Sequence, residues 1–175
     1  MEEIDILLAA AQIGVALAGF AAIATVVGQS YKGTDPRVNS IRVRGLLETA
    51  LSVTLLAFVA VLLLKIEGLN TWVWRISSIV GLLTLVTGGR AVIKRDIPLR
   101  NLPGYNKPVA RILFVILSAM LVAFALNIAG IAGPFAFHVY LGALILMLTT
   151  CCIWFVLVII SLLERLAESG TNSDE

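Results

Sequence analysis

Very little of this chain can face water. Between Ile6 and Leu163 the one long polar interruption is Arg90 to Arg111, RAVIKRDIPLRNLPGYNKPVAR, with shorter ones after Gly28 and around Leu69. What remains is a series of apolar runs of about twenty residues, the length at which a helix crosses the ~30 Å hydrocarbon core of a bilayer. Backbone in hydrocarbon has to satisfy its own hydrogen bonds, which restricts such runs to helices. Hydrophobic residues make up 59% of the chain and charged ones 14%, against roughly 45–50% and ~25% in soluble domains. The expected fold class is an all-α transmembrane helical bundle of five spans, one domain over residues 1–166, with no length left over for a soluble catalytic or nucleic-acid-binding domain.

The spans are expected at about 6–27, 46–66, 73–93, 112–128 and 135–163. Gly33 and Asp35-Pro36 supply turn chemistry before the second, KIEGLNTWVWR makes a tight turn centred near Leu69, and AGIAGP closes the fourth. The fifth, at about 29 residues or ~43 Å, exceeds the bilayer core and has to tilt or project. The small, polar, acidic tail 167–175 is expected to be disordered. The MEEID start is acidic where a signal peptide is basic. If one span is re-entrant instead, the glycines and alanines of the first make it the exception.

Charge placement sets the orientation. With the N-terminus outside and the C-terminus cytoplasmic, the inner segments hold Lys32, Arg37, Arg42 and Arg44, then Arg90, Lys94, Arg95, Arg100, Lys107 and Arg111, then Arg165; the outer ones hold Lys65 and Arg75. Lys and Arg are retained on the cytoplasmic side, while Glu2, Glu3 and Asp5 on the N-terminal tail do little to oppose translocation. Trp72, Trp74, Phe135, Phe137 and Tyr140 are placed at the outer headgroup level, and Tyr31 and Tyr105 at the inner one. Trp154 falls well inside span five, where its N–H needs a partner on a neighbouring helix.

Several groups of residues are candidates for function. Ala10, Gly14, Ala18 and Ala22 recur every four residues on span one, a small-residue face that promotes close helix association, within the chain or between subunits, with Gln12 and Thr25 as polar groups for a pathway. The stretch Gly14-Val-Ala-Leu-Ala-Gly19-Phe20-Ala21, the polar start of span two after a basic loop, and Gly133-Pro134-Phe135 opening the last span together resemble a pattern seen in small, uncharacterised bacterial five-span membrane proteins. That family brings no established activity, so the resemblance carries over no site.

Glu48 and Arg90 stand at equal distance from the turn near Leu69 and are a candidate ion pair or inner gate, with Arg44, one turn before Glu48, as the competing partner. Asn127 and His138 flank the outer turn at nearly equal depth and are a candidate outer vestibule, bonded to each other or to backbone, or pH-sensitive. Lys94, Arg95, Arg100, Lys107 and Arg111 suit contact with anionic lipid headgroups. Cys151 and Cys152 are read as small packing residues, since adjacent cysteines in an apolar run bridge only with strain and have no further metal ligands nearby. The hydroxyls of Ser52, Thr54, Ser77, Ser78, Thr84, Thr87, Ser118, Thr149 and Thr150 satisfy themselves on their own helices or bridge to a neighbour.

No Asp, Glu, Lys or Arg lies near the middle of any span, which argues against an ion-coupled carrier. No nucleophile–base pair, metal spacing or phosphate loop points to an enzyme, and no cofactor is expected. Two readings remain: a self-associating channel for a small ion or solute, or a non-catalytic accessory or scaffold subunit engaging a partner membrane protein. Either sits in a bilayer, most simply the bacterial inner membrane, with no nucleic-acid partner, and the channel reading expects a homo-oligomer.

Overall fold

The computed structural model describes residues 2–29, 36–69, 72–96 and 107–171. Five helices fill them: α1 (Glu2–Gln29), α2 (Pro36–Leu64), α3 (Val73–Asp96), α4 (Lys107–Ile128) and α5 (Ala136–Thr171), with one 3-10 turn at Gly133–Phe135 before α5. All five are long and apolar enough to cross a membrane. Their outward faces carry large apolar side chains, among them Ile13, Phe20, Leu55, Leu83, Phe114, Val122 and Ile145. A bundle apolar on its outside as well as its inside is compatible with an integral membrane protein.

The helices reach further into the polar segments than apolarity alone indicates. Pro36 opens α2 about ten residues before the expected start at 46, and Pro108 sits in the first turn of α4. Proline is tolerated there because a helix's first N–H groups have no partner within it. At the other end, α5 continues to Thr171, so residues 167–171 of the tail expected to be disordered are helical. Residues 172–175 lie outside the described residues. At 36 residues, α5 is about 54 Å long.

Helices α2, α3, α4 and α5 form a four-helix ring, each packed against the next and α5 closing on α2, while α1 lies against α2 and α5. Helix α1 docks through Leu7, Ala10, Ala11, Gly14 and Ala21. A Cβ on Gly14 would stand 2.5 Å from Thr54 Oγ1 and 3.0 Å from the Ala50 carbonyl oxygen, so the bare glycine is what lets the two backbones meet. The Thr54 hydroxyl uses that approach, reaching the Ala50 carbonyl at 3.1 Å and Ala11 across the gap at 3.4 Å. Small residues bring helices this close where burial of apolar surface provides no preference between faces.

The α4–α5 turn is built around Gly130, whose φ is +75°. Ile131 N–H bonds to the Leu126 carbonyl at 3.1 Å and Gly130 N–H to Asn127 at 3.0 Å, the paired bonds of a Schellman ending. A Cβ at Gly130 would collide with the Arg75 guanidinium, which also stacks over Trp72 at 5.1 Å. Gly130→Ala is therefore expected to cost about 1–2 kcal/mol from the left-handed backbone and more from displacing Arg75. Denaturant unfolding in micelles measures it; a loss under ~0.5 kcal/mol would contradict this account of the turn.

Candidate functional site

A half-open cavity of about 150 Å³ lies within the ring at the end where α2 begins and α3 ends. Each wall is one helix. Gly45, Glu48, Thr49 and Ser52 come from α2; Thr84, Gly88 and Gly89 from α3; Leu113 and Leu117 from α4; Thr150 and Trp154 from α5. Along each helix these positions fall one, three or four residues apart, the pattern that keeps side chains on one bundle-facing side. Gly45 leaves room for the Trp154 indole, whose ring atoms lie 3.1–3.4 Å from where a Cβ would stand.

Every hydroxyl in this wall donates to a carbonyl one turn back on its own helix: Thr49 to Gly45 at 2.7 Å, Ser52 to Glu48 at 2.7 Å, Thr84 to Val80 at 2.8 Å and Thr150 to Leu146 at 3.0 Å. With their protons committed, these oxygens offer a guest only lone pairs. Glu48, at the same level, adds a carboxylate. Trp154 supplies an indole N–H. The lining is thus mainly hydrogen-bond accepting on an otherwise apolar wall.

Beyond the cavity the axis is plugged. Leu85, Met120 and Met147 form its floor, followed by Phe124 and Tyr140, whose ring centroids are 5.8 Å apart. The Tyr140 hydroxyl donates to the Leu56 carbonyl at 2.9 Å. Next comes a buried polar layer of Ser77, Ser78 and Asn127. Asn127 Nδ2 donates to Ser78 Oγ at 3.2 Å and to the Ala136 carbonyl at 3.0 Å, while Asn127 Oδ1 and Ser77 Oγ have no hydrogen-bond partner among the described residues.

The structure distributes the sequence candidates differently from expectation. Ala10 and Gly14 are buried within the chain, Gly14 against α2; Ala18 is half-buried against the Leu46, Ala50 and Cys151 cluster, and Ala22 is exposed. A four-residue repeat drifts by about 40° per step on a helix of 3.6 residues per turn, so Ala22 has rotated well away from the Gly14 contact. Gln12 is exposed on the far side of α1 and does not line the cavity, and the side chain of Thr25 lies outside the described residues.

Glu48 takes its ion pair from its own helix: Arg44 Nε stands 2.7 Å from Glu48 Oε1, with the two side chains 60% and 36% exposed. A pair this open is worth at most about 1 kcal/mol. Arg90 is exposed and does not line the cavity that Glu48 lines. Lys94, Lys107 and Arg111 are exposed at the same end of the bundle, while the side chains of Arg95 and Arg100 lie outside the described residues.

Asn127 and His138 separate. Asn127 turns inward onto Ser78 and the α5 start, whereas His138 is exposed, edge-on to Phe135 and Phe137 at 6.3 and 5.4 Å. Phe137 and Tyr140 are the buried positions of that turn, which aims residue 138 outward. Of the aromatic residues expected at the outer headgroup level, Trp72 and Phe135 are exposed, while half-buried Trp74 stacks on buried Phe137 and Tyr140 at 5.2 and 5.6 Å. Tyr31 and Tyr105 lie outside the described residues.

Cys151 is buried among Ala50, Leu46 and Val158, as a packing residue, and Cys152 is exposed. Sequence reading missed the cavity itself. Its signal was present as the three- and four-residue steps of small and hydroxyl residues on α2, α3 and α5, but those steps do not say which faces meet. No protein-family model matches the chain, and neither a curated protein nor a solved structure does.

Proposed function

We propose that this chain is an integral membrane protein, N-terminus outside and C-terminus cytoplasmic, that self-associates and passes a small ion or solute through its helical bundle. The observation that carries the reading is the accepting cavity inside the four-helix ring, aligned with a second buried polar layer beyond a plug of flexible methionines and aromatic rings. A route lined by hydroxyls and backbone rather than by midspan charge suits weak, rapid passage. The cavity lies at the basic, cytoplasmic end and acts as the inner mouth, and passage requires Met120, Met147 and Phe124 to move aside. The basic residues around that end hold the bundle against anionic headgroups, at ~1 kcal/mol per charge near the surface. The orientation rests on the eleven-to-two division of Lys and Arg, and the bacterial plasma membrane is the membrane this arrangement suits.

The second reading, an accessory or scaffold subunit, is favoured by the length of α5, which outreaches a ~30 Å core by several turns and offers a partner a helical post. Flux into proteoliposomes decides between them. Wild-type protein is expected to pass small monovalent ions, and Ser52→Leu with Thr84→Leu, which fill the cavity, to lower the flux at least tenfold. No flux under any gradient, voltage or pH would overturn the channel and leave the accessory role.

A further inference from the structure

Gln12 is out of place. It sits next to the midpoint of the Glu2–Ala24 span, with its side chain exposed on the side of α1 opposite Ala10 and Gly14. Its carboxamide makes no hydrogen bond among the described residues. With the chain in a bilayer, that amide stands in hydrocarbon, where an unmade hydrogen bond is costly. Lipid tails cannot satisfy it and water is scarce at that depth, so its partner has to be a protein group.

We propose that the partner is Gln12 of a second copy, the α1 helices of the two chains lying side by side. Copies inserted in the same direction are related by an axis along the membrane normal, so identical residues meet at identical depth. A carboxamide is self-complementary, its N–H donating to the other's carbonyl and its own carbonyl accepting from the other's N–H. Asp5, Ala9, Gln12, Ala16, Gly19 and Ile23 follow alternating four- and three-residue steps, the seam of a parallel left-handed helix pair, and every one is exposed.

The ground around the amide admits a helix. A Cβ on Gly19 would meet nothing within 4 Å, and an open groove of about 370 Å³ runs beside Gln12 between α1 and Phe58 of α2. Asp5 opposes the pairing, since it brings like charges together, but it lies at the water end of the seam, where salt screens it. The amide therefore carries the specificity and the small neighbours set the distance. This inference rests on the membrane-embedded, self-associating reading and adds the surface through which the copies meet.

Energy transfer between labelled copies in vesicles, over a series of protein-to-lipid ratios, tests it. Gln12→Leu is expected to weaken association about tenfold, while Gln12→Asn stays within about threefold of wild type and both variants keep wild-type thermal stability. In a Cys151→Ala, Cys152→Ala background, Ala9→Cys and Ala16→Cys are expected to cross-link under mild oxidation and Ile13→Cys not. Undiminished association of Gln12→Leu, or no cross-link at Ala9→Cys and Ala16→Cys, would overturn this surface while leaving self-association standing. A wild-type chain that is monomeric at every ratio would overturn both.

Discussion

Gly81→Val is expected to be among the most destabilising single changes in the bundle, at about 3 kcal/mol. A Cβ at Gly81 would lie 2.7–2.9 Å from three atoms of the Phe124 ring. Phe124 is fully buried and packed on Tyr140 in the largest core cluster, so the ring has no open side to turn toward. Overpacking a tight core costs about 1–3 kcal/mol, and valine adds two methyls beyond the clash. Unfolding in micelles reads the loss, and a size switch tests its cause: Phe124→Leu, costly alone through the space it leaves, is expected to recover at least half of the Gly81→Val loss when the two are combined. Strictly additive losses would sink the pairing, since contacting residues couple and independent ones add. The same plug closes the cavity, so the Phe124→Leu chain is also the variant in which flux is expected to rise.

The second large effect is at the α1–α2 contact. Gly14→Val is expected to lift α1 from α2 and cost about 2–3 kcal/mol, because the nearest neighbours of the added atoms are Thr54 Oγ1 at 2.5 Å and a backbone oxygen, Ala50 O, at 3.0 Å. A side chain turns aside, but a carbonyl inside a helix moves only with the helix. The Ala11–Thr54 bond, 3.4 Å across the gap, is lost with it. Stability of Gly14→Val should be read beside Gly142→Ala, where a Cβ meets nothing within 4 Å and the expected change is within ~0.5 kcal/mol. Equal losses at the two glycines would mean that the contact at Gly14 is not what holds α1.

The two predictions concern glycines that the sequence marks differently. Gly14 belonged to a visible small-residue stripe, and its role in helix association is observed. That the stripe works inside the chain, over Ala10, Gly14 and Ala18 but not Ala22, depends on where the neighbouring helices stand. Gly81 belonged to no motif. Its importance comes from Phe124 on another helix, and no spacing along the chain announces that meeting. Glu48 shows the same division: the i,i+4 pair with Arg44 was legible locally, while its place in a cavity wall with Thr84 and Thr150 required three helices to be assembled. Asn127 and His138 were placed at one depth by counting from the turn, but depth carries no rotation, and the rotation sends one inward and the other out.

By itself the sequence determined that the chain is five helices and where the turns on either side of α3 and α4 fall, though not how far α2 and α5 extend. Those follow from local rules: long apolar runs leave the backbone no hydrogen-bonding alternative to a helix, and a positive φ at Gly68 or Gly130 favours a residue without a Cβ. The tertiary structure alone decided which faces meet. In a water-soluble bundle the apolar stripe selects the inner face, but these helices are apolar all round, so hydrophobicity does not rank their faces. Shape does it instead, glycine by glycine and ring by ring, and the cavity among Glu48, Thr49, Ser52, Thr84 and Thr150 is the space that this fitting leaves open.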